Sequence, residues 1–174
     1  MGDMMVKRLL FFVLAVVMVP CLGFSAESHL VRMDAFGVIG GASTINYEWA
    51  VDRDRSLSLE GVFWNRTLSN WKLDAVGAGI AYRFFRENAL KGVFWGPEAK
   101  IVSINAKLGD ASTGVTAVVV NYNVGHRWIW DGGFALDIVT GFSYFSGSLT
   151  IGYDTLALSG FTWGGVRVNI GYAW

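Results

Sequence analysis

The stretch AVVVNYNVGHRWIW, Ala117 to Trp130, decides the fold. Val118, Val120, Tyr122, Val124, Trp128 and Trp130 stand on alternate positions, against Val119, Asn121, Asn123, Gly125 and Arg127 between them. A period of two is that of an extended strand, whose successive side chains point to opposite faces. One face is large and apolar; the other is mostly small, amide-bearing or charged.

The same division recurs along the chain. DAVGAGIAYRFF sets Val76, Ala78, Ile80, Tyr82 and Phe84 against Ala75, Gly77, Gly79, Ala81 and Arg83. FALDIVTGFSY sets Phe134, Leu136, Ile138, Phe142 and Tyr144 against Ala135, Asp137, Gly141 and Ser143, and TINYEWAV repeats the pattern around Glu48. The final VRVNIGYAW places Val166, Val168, Ile170, Tyr172 and Trp174 opposite Arg167, Asn169, Gly171 and Ala173. Turn signals between these runs predict eight strands, near residues 31–41, 43–52, 56–66, 72–85, 92–105, 114–130, 133–147 and 162–174. Gly40 and Gly41 mark either the first hairpin or a bend in one long strand.

Eight strands without helices either close or expose their edges, and closure removes the edges. The small faces are too poor in charge for a water-facing exterior, since charged residues make up only 16% of the chain against about 25% in soluble domains. Turned inside out, the apolar face meets lipid and the small and charged face fills a narrow interior. The expectation is therefore an all-β, eight-stranded antiparallel up-and-down transmembrane β-barrel. The tryptophans, at 49, 64, 71, 95, 128, 130, 163 and 174, fall near strand ends, as two interfacial girdles require. The connections DRDR, RENALKG and DGG read as tight turns on one side, with longer loops at 105–114 and 147–161 on the other.

Residues 1–26 read as a cleaved signal peptide: Lys7 and Arg8 precede an apolar run from Leu9 to Val19, Pro20 breaks it, and small residues follow. The run is too short to span a bilayer as a helix, which needs about 20 residues. Cys21, the single cysteine, falls inside that segment, so residues 27–174 form the barrel domain without thiol chemistry. Equal numbers of acidic and basic residues, 14 of each, provide no basic field for nucleic acid.

On these features the chain resembles small eight-stranded bacterial outer membrane proteins, the OmpA-like and OmpW-like barrels. GGASTINYEWAVDRDRSLSLEG and GHRWIWDGGFALDIVTGFSY look like the strand and turn patterns of an uncharacterised family of compact outer membrane barrels. The resemblance spans nearly the whole of residues 27–174 and implies location in the bacterial outer membrane, with outer membrane lipid as surroundings. The ending looks like the C-terminal signal read by the barrel assembly machinery. Arg167, Tyr172 and Trp174 match that pattern, while Asn169 stands where glycine is usual and Trp174 where phenylalanine is commoner.

The inward faces gather Glu48, Glu60, Glu98 and Asp137 with Arg83, Lys100, Arg127 and Arg167. Buried charges must be paired, so these predict an ion-pair network filling the interior in preference to a proton relay. Some barrels of this kind are enzymes acting on lipid A, which requires a histidine beside a nucleophilic serine. His29, placed in the leader before the first strand, and His126, on the apolar side, have no such neighbour in sequence. No cofactor or metal motif stands out, and no enzyme is expected. The reading is an integral outer membrane barrel with a structural or surface-interaction role and an extracellular ligand carried by the loops. A narrow channel for small or apolar solutes is the alternative, ahead of a lipid A-modifying enzyme.

Overall fold

A computed structural model describes residues 28–36, 42–68, 71–108, 111–151 and 154–174. Eight strands, β1 (His29–Asp34), β2 (Ala42–Asp52), β3 (Arg55–Leu68), β4 (Trp71–Phe85), β5 (Gly92–Leu108), β6 (Ala111–Ile129), β7 (Phe134–Ile151) and β8 (Asp154–Ala173), follow one another around a closed barrel. Each pairs antiparallel with its sequence neighbours, and β1 closes on β8 through Leu30↔Ala173, Arg32↔Gly171 and Asp34↔Asn169. The segment read as a signal, with Cys21, lies outside the described residues.

The alternation in sequence becomes inside against outside. On β6, Val118, Val120, Tyr122, Val124 and Trp128 are exposed, as is Trp130 just past its end, whereas Asn121, Asn123, Arg127 and Ile129 are buried. Eight strands leave room only for side chains within the barrel, and the glycines and alanines of β4 set one wall close. A Cβ on Gly79 would lie 2.8 Å from the Cβ of Lys100 across the β4–β5 pair.

Several expectations need correction. The first strand is His29–Asp34, not 31–41, and the second begins at Ala42; Gly40 and Gly41 lie outside the described residues. His29 therefore belongs to the closing strand, where it pairs with Trp49, and not to a leader. The two long loops are strand hairpins: β5 and β6 remain paired to Leu108↔Ala111, and β7 and β8 to Ile151↔Asp154. Alternation in LTI and DTLALSG belongs to paired strands, and backbone pairing satisfies the amide groups that a loop of that length would leave to water. Trp64 is no girdle residue; it takes the interior side of β3 opposite buried Ala75, with its indole nitrogen buried and without a partner.

One irregularity matters for the interior. The β7–β8 register shifts between Thr140↔Val166 and Phe142↔Trp163, so β8 carries one extra residue there. Gly165 takes φ +72, the left-handed conformation common at such bulges. The indole of Trp163 donates to Thr140 Oγ1 at 2.9 Å, and Thr140 Oγ1 donates to the Gly165 carbonyl at 3.0 Å, fixing the bulge from outside.

Candidate functional site

The interior is layered along the barrel axis. At the end where β1 begins and β8 finishes lies an apolar base of Leu30, Leu90, Ile129, Ala135 and Ala173. Leu90 comes from the turn between β4 and β5, which folds back so that Ala89 N donates to the Arg53 carbonyl at 2.6 Å. Leu90 is fully buried, with φ 71 despite being no glycine. RENALKG thus reaches into the barrel mouth, where sequence reasoning saw only a tight turn.

Charge begins immediately above this base. Arg127 is fully buried and donates Nε to Asp137 Oδ1 at 2.6 Å and Nη2 to Asp137 Oδ2 at 2.9 Å. It also donates Nη2 to Glu48 Oε2 at 2.9 Å, and its guanidinium lies 5.4 Å from the Phe85 ring centroid and 5.3 Å from that of Phe94. Glu48 accepts further bonds from Arg83 Nη1 at 2.7 Å and Ser56 Oγ at 2.5 Å, and pairs with Arg32 Nη2 at 3.2 Å. Arg32 also donates to Asp137. Charge-assisted bonds of this density offset the cost of removing both ions from water.

Farther along the axis, Glu98 accepts from Asn121 at 2.6 Å and Asn123 at 3.0 Å. It pairs with Lys100 at 2.8 Å and Arg167 at 3.4 Å, and stands 4.0 Å from Arg83. Lys100 donates in turn to Glu60 at 2.7 Å. The structure thus brings Glu48, Glu60, Arg83, Glu98, Lys100, Arg127, Asp137 and Arg167 into one connected set of contacts.

Sequence reasoning missed Arg32. Its signal is the alternation LVRMD, which turns Leu30, Arg32 and Asp34 opposite to Val31 and Met33 once the strand is extended back to His29. Arg32 and Asp34 line a crevice of about 10 Å³ together with Asn46, Glu60, Arg83 and Arg167. The Arg32 Nε and Asn46 Oδ1 atoms are buried there without protein partners, and the volume approaches what one bridging water occupies. With Arg32 and Asp34 counted, the charged residues of this set are five bases and five acids.

Beyond Glu98, toward the hairpins, lies a cavity of about 290 Å³ bounded by Lys100, Asn121, Asn123, Ser143, the glycines of the β7–β8 bulge, and Arg167. At the opposite end, the C-terminal residues close the barrel. The Trp174 carbonyl accepts from the amides of Ser28 at 2.9 Å and His29 at 3.0 Å, and its own amide donates to the His29 carbonyl at 3.0 Å. The His29 ring shares a hydrogen bond with the Tyr47 hydroxyl at 2.8 Å and stacks on Trp174, its centroid 5.8 Å away. Tyr172 stacks on the same indole from β8, and His126 packs its ring 4.2 Å from that of Trp128.

Comparison with family models, with curated proteins and with solved structures finds no match to this chain.

Proposed function

We propose that this chain is an integral outer membrane β-barrel whose closed, charge-filled interior makes it a structural and surface-interaction protein. One observation carries the reading: the barrel wears its apolar residues outside and its charges inside. Val76 at 55% exposure, Ile101 at 57% and Val166 at 57% face outward, while Glu48 and Arg127 are at 0%. In water that arrangement forfeits the apolar burial that stabilises a soluble barrel; in hydrocarbon it is the stable one.

The spacing of exterior aromatic residues supports it. Trp163 and Trp174 lie eleven residues apart along the end of β8. With the extra bulge residue discounted, ten steps of about 3.3 Å at a tilt of about 40° give a rise of roughly 25 Å, the height of the apolar band of such barrels. Tyr47, Trp95, Trp128 and Tyr172 accompany Trp174 toward the apolar base, and Phe63, Phe142 and Phe161 accompany Trp163. The hairpins beyond Trp163 then project from the bilayer on the extracellular side. Paired backbone ending in Tyr172 and Trp174 offers the assembly machinery a strand that is also the closing one.

Cell fractionation tests the reading. The protein should co-sediment with outer membranes, resist extraction by alkali and migrate faster on gels when unheated than when boiled. Recovery as a soluble, heat-insensitive protein would overturn it. The apolar base and the ion pairs stand across the lumen in series, so purified protein in a planar bilayer should carry no steady current.

A further inference from the structure

We infer that the cavity above Glu98 is a binding site for a small soluble anion carrying a phosphate or carboxylate group. Its volume of about 290 Å³, against about 10 Å³ for the one-water crevice, leaves room for a small organic molecule. This places recognition inside the barrel mouth and deepens the surface-interaction reading on which it rests.

The lining determines the charge of the ligand. Lys100 and Arg167 bound the cavity, and no carboxylate is among its lining residues. The acids that pair with these cations, Glu60 and Glu98, are both buried, and the amides of Asn121 and Asn123 donate to the two oxygens of Glu98. Among the described residues, a solute in the cavity therefore faces cations and amides and no carboxylate.

Donor counts leave bonds to give. An ammonium carries three N–H groups, and Lys100 commits two, to Glu60 at 2.7 Å and Glu98 at 2.8 Å. A guanidinium carries five, and Arg167 directs three to Glu98 and Asn123, with the two Glu98 contacts stretched to 3.4 and 3.5 Å. Its side chain is 28% exposed, against 0% for Arg127 in the closed layer below. An anion seated between Lys100 and Arg167 would complete both donor sets with short, charge-assisted bonds.

The opposite wall is built to leave room. Gly141, Gly164 and Gly165 meet at the β7–β8 bulge, and a Cβ on Gly165 would touch nothing within 4 Å. A Cβ on Gly141 would stand 2.2 Å from the Tyr122 carbonyl oxygen, so that position admits no side chain. Ser143 adds a hydroxyl beside them. Because β6, β7 and β8 remain paired past this level, a phospholipid outside has no lateral way in, which selects a soluble ligand over a lipid headgroup.

Calorimetry on the detergent-solubilised full chain tests this, with glycerol 3-phosphate, inorganic phosphate and succinate as anionic probes, glycerol as the neutral one, and micelles doped with phosphatidylglycerol as the lipid arm. At least one soluble anion should bind saturably, while glycerol and the doped micelles give no saturable heat. Lys100→Gln should weaken binding at least tenfold, and Ser143→Phe, which fills the cavity without altering charge, should abolish it while the gel shift between unheated and boiled samples persists. Equal binding of glycerol and glycerol 3-phosphate, a response confined to phosphatidylglycerol, undiminished affinity in Ser143→Phe, or silence of every anionic probe would each overturn the site. None of these results bears on membrane insertion, which the fractionation decides separately.

Discussion

Arg127 and Asp137 are direct register partners across the β6–β7 pair and meet through two parallel hydrogen bonds, at 2.6 and 2.9 Å, with the arginine wholly buried. The wall thus places the pair side by side, and the fork of the guanidinium matches the carboxylate. Arg127 then reaches Glu48 on β2, so one side chain ties β6 to both β7 and β2 across the interior.

Replacing Arg127 by methionine should cost about 3–5 kcal/mol, because Glu48 and Asp137 lose a buried partner. Urea unfolding of the barrel in lipid vesicles measures this. The double variant Arg127→Met, Asp137→Leu should recover part of the loss, with a coupling of about 1–3 kcal/mol. Strict additivity of the two single losses would show that the pair does not act as a unit.

The turn residue Leu90 gives a test with an unusual sign. Truncation to alanine should cost about 2–5 kcal/mol through lost packing in the apolar base. Its φ of 71 favours glycine over any L side chain, so Leu90→Gly should be less damaging than Leu90→Ala by roughly 1 kcal/mol. The same unfolding assay ranks them; a larger loss for glycine would mean that the backbone there carries no strain.

At the β6–β7 turn, two neighbouring glycines should respond differently. Gly133 has φ +85 and a Cβ there would stand 2.4 Å from the Ala173 carbonyl oxygen, whereas a Cβ on Gly132, φ +97, would meet nothing within 4 Å. Gly133→Ala should therefore lower stability by more than about 1 kcal/mol beyond Gly132→Ala, since clash adds to left-handed strain. Equal unfolding midpoints would remove the close approach.

Deleting Trp174 removes the carbonyl that caps Ser28 and His29 and the ring on which His29 and Tyr172 stack. Insertion should fall, read as the fraction of membrane-embedded protein that migrates fast when unheated. The substitution Trp174→Phe keeps the backbone bonds and an aromatic ring and should restore most of that fraction. Equal insertion by all three proteins would separate the C-terminal residue from assembly.

How much of this was legible in the sequence depends on what each residue answers to. Period-two patterning fixes faces, so Arg83, Arg127, Asp137 and Arg167 could be assigned inward from their neighbours alone. It does not fix ends: β1 runs from His29 to Asp34, six residues that give Arg32 too few alternating neighbours to declare its face. Leu90 was hidden for another reason. It sits in a polar turn with no alternation, and its burial follows from the turn folding back toward Arg53, a long-range contact. The cavity was invisible as well, because a one-residue bulge opposite Gly141 leaves no mark in sequence beyond the pair Gly164 and Gly165.

The claim that lipid surrounds this barrel is tested most directly by spin labels on single cysteines at Val166, Val168, Ile170 and Asn169, in a Cys21→Ala background reconstituted into bilayers. Val166, Val168 and Ile170 should give high accessibility to dissolved oxygen and low accessibility to a water-soluble nickel chelate, with Asn169 immobile and reached poorly by both. Ready collision of the nickel chelate with all three outward labels would contradict it and return the apolar exterior to water.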